Sequence, residues 1–341
     1  MESRLFLSGQ RALVWLKAHG YSTVDDIEPQ VSPHRFATGG AYGVEVPVVN
    51  NLATLRKTIH LLREEGVYVT RFNETHGAFL LCDSEIREML ALCAQEGYGI
   101  AFGLGPRPEY DRRAAFYRSE FGMEQARQIN NHDALRASVT DALRLASLGC
   151  RGLIVYDLGV LRVLNAMRAE GELPHDMIFK VSSHCMVSNS MLAEIHAENG
   201  ANSLTVSHDV GLPMLQAMRR AAPAASLDVP LDVYRNKGGF IRFHEVAEIV
   251  QVAAPVFLKI GSSSQTDPYD NTNETTIAKR VNRVKRALEM LDENLPMAQR
   301  IGSQDPLVCL PVLESVTTLH AGVENHLNHS NKTLATVREV V

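Results

Sequence analysis

Two lysines stand in stretches otherwise suited to burial: Lys180 in MIFKVSSH (177–184) and Lys259 in PVFLKIGS (255–262). A lysine amine held away from water loses its proton more readily, because desolvation penalises the charged form. The neutral amine can attack a carbonyl carbon to form a Schiff base, or act as a base. His184 closes the first stretch, and Glu45, Asp157, Asp209 and Asp232 stand in or beside other runs of the same kind. The histidine suits proton transfer, with the carboxylates orienting the cations. The same residues also suit plain ion pairing, in which each lysine neutralises a carboxylate.

What positions them is an alternation of short β-rich runs and amphipathic helices that begins near Tyr42. The expected strands are 43–49, 67–74, 100–105, 152–159, 177–184, 202–210, 227–234 and 255–262, each followed by a helix. Asp83 is the expected cap and Gly97 the expected stop of the helix over 83–97. Crossovers of this length imply parallel pairing. Eight units in roughly 250 residues match a closed (β/α)8 TIM-type barrel, with an open doubly wound sheet as the alternative topology. The expected division is an N-terminal helical extension (1–40), the barrel (41–296) and a C-terminal extension (297–341), in which Leu307–Leu310 reads as a strand.

Side chains alternate along a strand, so the apolar parity packs on helices and the other faces the barrel axis. That rule turns Glu45, Lys180, Ser182, His184, Asp209, Asp232, Tyr234 and Lys259 inward and puts Asp157 at a strand end, with His208 on the other parity. The second strand is ambiguous, because Arg71 and Asn73 share parity with Val67 and Val69. Barrel enzymes place their chemistry at the C-terminal strand ends. The expected catalytic set is therefore Lys180, His184, Asp209, Asp232, Lys259, Asp157 and Glu45. Replacing Lys180 by Met is expected at this level to abolish turnover and leave melting nearly unchanged.

Arg71, Asn73, Tyr234 and Asn236 are the expected substrate contacts, together with Gly238 and Gly239 after the seventh strand and Ser262 and Ser263 after the eighth. Glycine- and serine-rich loops there let backbone N–H groups approach an anion, so a small carboxylate or phosphate compound is the expected substrate. No HxH or HExxH spacing occurs. A divalent metal, with His184, His208 and Glu74 as candidate ligands, is the cofactor to be weighed. The segment 106–131, with Arg107, Arg112, Arg113 and Arg118, reads as a polar insertion: a surface loop, a lid, or a contact in a homodimer.

The segment KVSSHCMVSNSMLAEIHAENGANSLTVSHDVGLPMLQAMRRAAPAASLDVPLDVY (180–234) resembles the collagenase-like U-32 peptidase family. The likeness is carried by an Asn-containing helix start at Val187-Ser188-Asn189-Ser190, a helix ending at Gly200, and a second helix start at Asp209-Val210-Gly211-Leu212-Pro213. It implies a barrel and, nominally, a hydrolase. The chain departs from the family at Asp232–Gly239, where a Gly- and Cys-bearing motif should stand. The four-cysteine set of iron–sulfur members is missing, so no such cluster is expected. A Schiff-base lyase or aldolase, a metal-dependent hydrolase or lyase, and a non-catalytic barrel subunit are the competing expectations.

The whole composition bounds these choices. With 341 residues, 45% hydrophobic and 21% charged, the chain can bury a large core. A formal net charge of −5 provides no general attraction to nucleic acid or anionic membrane. No run approaches the length of a membrane span. Five scattered cysteines, an odd number without CxxC spacing, read as reduced thiols of a cytoplasmic protein.

Overall fold

In the computed structural model eight parallel strands close into a barrel in the order β1 to β8, with β8 pairing back to β1. The strands are β1 (Tyr42–Val46), β2 (Arg71–Asn73), β3 (Gly99–Gly103), β4 (Gly152–Val155), β5 (Ile178–Val181), β6 (Ser203–Thr205), β7 (Ser226–Pro230) and β8 (Val256–Lys259). The structure describes residues 4–21, 30–106, 128–268 and 272–313. Most of the insertion, including its four arginines, and the polar tail beyond 320 lie outside the described residues. The fold is the (β/α)8 barrel expected from the alternation, and the open sheet is excluded by the β1–β8 pairing.

Helices cover the barrel in chain order: α2 (Leu52–Glu64), α3 (Asp83–Glu96), α4 (His132–Ser147), α5 (Leu158–Glu170), α6 (Ser190–Glu198), α7 (Leu212–Ala221), α8 (Val246–Ala253) and α9 (Glu274–Asn294), with α1 (Arg4–Ala18) ahead of them. None among the described residues is long and apolar enough to cross a membrane. Side chains of Asn51, Asn131, Asp157, Asn189 and Asn273 each accept a backbone N–H in the first turn of their helix. Each thereby satisfies one of the donors a helix start leaves free. Helix α3 departs from expectation, since Cys82 occupies its cap position without a side-chain bond and Asp83 is its first residue.

The alternation rule holds wherever a strand is regular. Val44, Phe72, Phe102, Leu153, Phe179, Leu204, Leu227 and Leu258 are fully buried between strands and helices. Burying each such side chain contributes roughly 1.5–3 kcal/mol relative to exposure. The inward parity is divided. Ala101, Ile154 and Tyr156 form a small apolar cluster on the β3–β4 side, while charged and hydroxyl side chains occupy much of the rest, beside Ile178 and Phe257.

The N-terminal end of the barrel is plugged by the chain's own later segment. Pro306–Val308 forms a 3-10 turn, not a strand, and Cys309 O accepts the Ile100 N–H at 3.3 Å. Phe36, Phe257, Ile301 and Val308 make a second small core there. A Cβ on Gly99 would stand 1.6 Å from Val308 O, so this glycine is what lets the plug enter. With that end occupied, the C-terminal mouth is the open end of the barrel interior among the described residues.

Candidate active site at the barrel mouth

Just above the plug a buried ion network fills the barrel. Glu45 on β1 accepts from Arg71 Nε at 2.8 Å and pairs with Lys180 Nζ at 3.1 Å. Lys180 also donates to Asp228 on β7 and, at 2.7 Å, to Thr205 Oγ1. Arg71 Nη2 reaches Asp228 at 3.0 Å and Ser203 Oγ at 2.8 Å, and its guanidinium lies 3.5 Å over the Phe257 ring. All four charged side chains are essentially inaccessible. Burial alone would push the Glu45 carboxyl up, but Lys180, Arg71 and Lys259 together hold it down to about 2.

Lys259 is different. It is half-buried at the end of β8 and lines the mouth pocket with His184, His208, Asp232, Tyr234, Tyr156 and Ser182. Among the described residues its Nζ makes no hydrogen bond and no ion pair. Two interior carboxylates face three cations, and Arg71 and Lys180 hold both carboxylates. Lys259 is the excess charge. Desolvation, then repulsion from Lys180, lowers its pKa to about 8 against the partial pull of Glu45 and Asp228.

The loop after β8 holds a correction to the expected anion site. The backbone N–H groups of Gly261, Ser262 and Ser263 point inward as expected, but Asp232 accepts all three at 2.7, 3.2 and 2.9 Å, with Ser263 Oγ as a fourth donor at 2.5 Å. The chain supplies its own carboxylate where a substrate anion was expected. Gly239 N–H is likewise committed to Tyr234 O, and the exposed Asn236 side chain donates to Asp267. Gly238 is exposed and takes a positive φ in that turn. Replacing Asp232 by Ala should cost about 3 kcal/mol, since several buried donors lose a charged partner. The same variant should gain a saturable upshift in melting with inorganic phosphate, which the wild type should lack.

Other expected site residues are placed elsewhere. Asp157 is not a barrel carboxylate: it caps α5 through the Val160 N–H at 3.0 Å and also accepts from Ile129 N–H. Asp209 is exposed in a turn, because β6 ends at Thr205 and alternation ends with it. Glu74 is no free ligand, its two oxygens accepting from the backbone of His76, Gly77 and Gly103. Arg71 is sealed inside the network and cannot meet a substrate. His184 lies in a 3-10 turn (Ser183–Cys185) beyond β5, where it still reaches the pocket with His208. Among the described residues no three His, Cys, Asp or Glu side chains gather as a metal-binding group. The buried cysteines make poor nucleophiles, since burial raises Cys150 to about 12 and Cys309 to about 11.

Asp228 and Ser203 went unnoticed in the sequence. The signal was there: Asp228 shares the inward parity of Asp232 within LDVPLDVY, and Ser203 shares that of Thr205. The ambiguous second strand is resolved, with Phe72 outward and both Arg71 and Asn73 inward.

No family model matches the chain, and no curated protein does. Among solved structures the chain is similar to the YdjI aldolase from Escherichia coli K12, at 11% identity and a TM-score of 0.45, covering 76% of this chain and 94% of that one. The native KDPGal structure matches at 11% identity and a TM-score of 0.43 over 73% of this chain and 96% of that one. A U32 peptidase matches at 15% identity and a TM-score of 0.38 over 74% and 90%. Likenesses of this degree carry no argument about chemistry, and the barrel rests on its own strand pairing.

Proposed function

We propose that the protein is a barrel enzyme of the lyase type, which binds a small carbonyl compound at the C-terminal mouth and activates it as a Schiff base on Lys259. The observation that carries this is the Lys259 amine, unpaired among the described residues, charge-crowded, and exposed to the pocket. Attack of the neutral amine on the carbonyl carbon, with loss of water, forms an iminium that can draw electrons from an adjacent bond. His184 and His208, lining the same pocket, are the proposed proton carriers, and Tyr156 and Tyr234 complete its polar wall. Lys180 serves by its charge, which keeps the Lys259 amine available.

The nominal hydrolase implied by the U-32 likeness has less to support it. A hydrolytic site needs an activated nucleophile or a bound metal with its water. Among the described residues the mouth presents no cysteine, and its carboxylate Asp232 is engaged by the β8 loop.

Borohydride reduction of the full chain in the presence of small aldehydes and 2-oxo acids tests the proposal. The expected result is a stable adduct mass on the peptide that contains Lys259. Adducts spread over surface lysines, with Lys259 unmodified, would contradict it.

A further inference from the structure

Among the described residues, buried side-chain polar atoms without a partner fall into two groups. Three are arginine Nε atoms, of Arg219, Arg280 and Arg283; the rest are Glu45 Oε1, both amide atoms of Asn73, and Ser207 Oγ. In the second group Glu45 and Asn73 stand on neighbouring strands, and Ser207 stands across the barrel on the β6 line. All three residues stand on the inward parity of their strand line, Glu45 on β1, Asn73 on β2 and Ser207 two residues beyond the end of β6.

Register brings Asn73 to the level of Lys259. Glu45 pairs with Arg71 on one side and with Lys259 on the other. Strands tilt in a barrel, so these three climb around the wall, from Arg71, which donates to Leu307 O of the plug at 2.8 Å, up to Lys259 at the mouth. Two residues above Arg71, Asn73 rises to the height of Lys259. Alternate strands supply the side chains of one layer, and β2 and β8 flank β1. Asn73 and Lys259 therefore share a layer, with the free oxygen of Glu45 beneath it.

Unsatisfied polar atoms in a dry interior are costly, and natural interiors keep few of them. Here they are acceptor-rich. Glu45 Oε1 and Asn73 Oδ1 can only accept, Asn73 Nδ2 can only donate, and Ser207 can do either. A carboxylate or phosphate group would answer the amide N–H but oppose the Glu45 oxygen. A hydroxyl group, donor and acceptor at once, can accept from the Asn73 amide N–H and donate its one proton to Glu45 Oε1.

We infer that this layer is a hydroxyl subsite, that Asn73 determines its specificity, and that the substrate is a small hydroxylated carbonyl compound, not an anion held by its charge. The inference rests on the Lys259 reading for the position of the carbonyl and deepens it.

The test uses matched probes. Hydroxyacetone and acetone are trapped on the native protein with borohydride, and each yield at Lys259 is divided by that on Nα-acetyl-lysine. Hydroxyacetone should lead by at least about tenfold, a difference worth about 1.4 kcal/mol. Asn73→Leu should bring the ratio near one. Because the asparagine amide holds no bond to protein, Asn73→Leu should melt no lower than wild type. Equal labelling by the two ketones, a preference that survives Asn73→Leu, or a fall in melting temperature beyond about 5 °C would each overturn the subsite.

A second readout separates this inference from the one it rests on. Saturation-transfer NMR with glycerol and 1-propanol, on wild type and Lys259→Met, needs no amine chemistry. Glycerol should bind selectly to both proteins and lose its advantage in Asn73→Leu. Selective glycerol binding without any Lys259 adduct would sink the amine reading alone, and adduct formation without glycerol selectivity would sink the subsite alone.

Discussion

Lys259→Met should eliminate the reducible adduct and lower turnover by on the order of 10³-fold or more, since methionine has no amine with which to attack the carbonyl. Its stability should move the other way. The pKa of Lys259 is lowered on folding, so below about 8 both the folded and the unfolded chain carry this charge, and the folded one carries it at a cost. Between about 8 and the ordinary lysine value of about 10.4 the unfolded chain binds more protons, and stability rises with pH. Methionine removes the cost. Urea unfolding at neutral pH should therefore find the variant at least as stable as wild type, with the rise above pH 8 diminished.

Lys180→Met should do the opposite, losing about 3–5 kcal/mol at neutral pH, the usual cost of stripping one partner from a buried pair. Among the described residues Glu45 and Asp228 would be left with Arg71 as their one ion-pair partner. The expectation drawn from the sequence, loss of turnover with melting intact, is thus reassigned from Lys180 to Lys259. Removing Lys180 also removes the repulsion that depresses Lys259, so any labelling of Lys259 that survives should need a higher pH. The acid side changes too. In the wild type Glu45 titrates lower in the folded than in the unfolded state, and its contribution, full above about 4.5, is lost as pH falls toward about 2. With its ammonium partner gone, that loss should begin at higher pH in urea unfolding followed across the acid range.

Much of this site was legible because a regular strand exposes its faces by alternation. Glu45, Lys180 and Lys259 each interrupt an apolar run, and each was placed inward. Legibility ended where the strands did. Asp157, His184 and Asp209 lie past the last paired residue, where the next hydrogen bond decides direction, so one became a helix cap and another an exposed turn residue. Asn73 was ambiguous because Val67 and Val69 precede the paired part of β2, which covers only Arg71–Asn73.

Pairing across strands was the other hidden quantity. Asp232 meets the backbone after β8 because β7 and β8 pair with Pro230 opposite Lys259, and that register has no signature in either run. The loop reads as an anion cradle when its sequence is taken alone. Its occupant comes from the adjacent strand.

The most direct measurement is the pH dependence of reductive alkylation at individual lysines in the native protein, using one small carbonyl compound and quantifying each lysine-containing peptide by mass spectrometry. Lys259 should label with a midpoint near pH 8, exposed lysines should follow near about 10.4, and Lys180 should remain unmodified while the barrel is folded. A Lys259 midpoint among those of the exposed lysines, or an adduct on Lys180 in its place, would contradict the assignment of the amine.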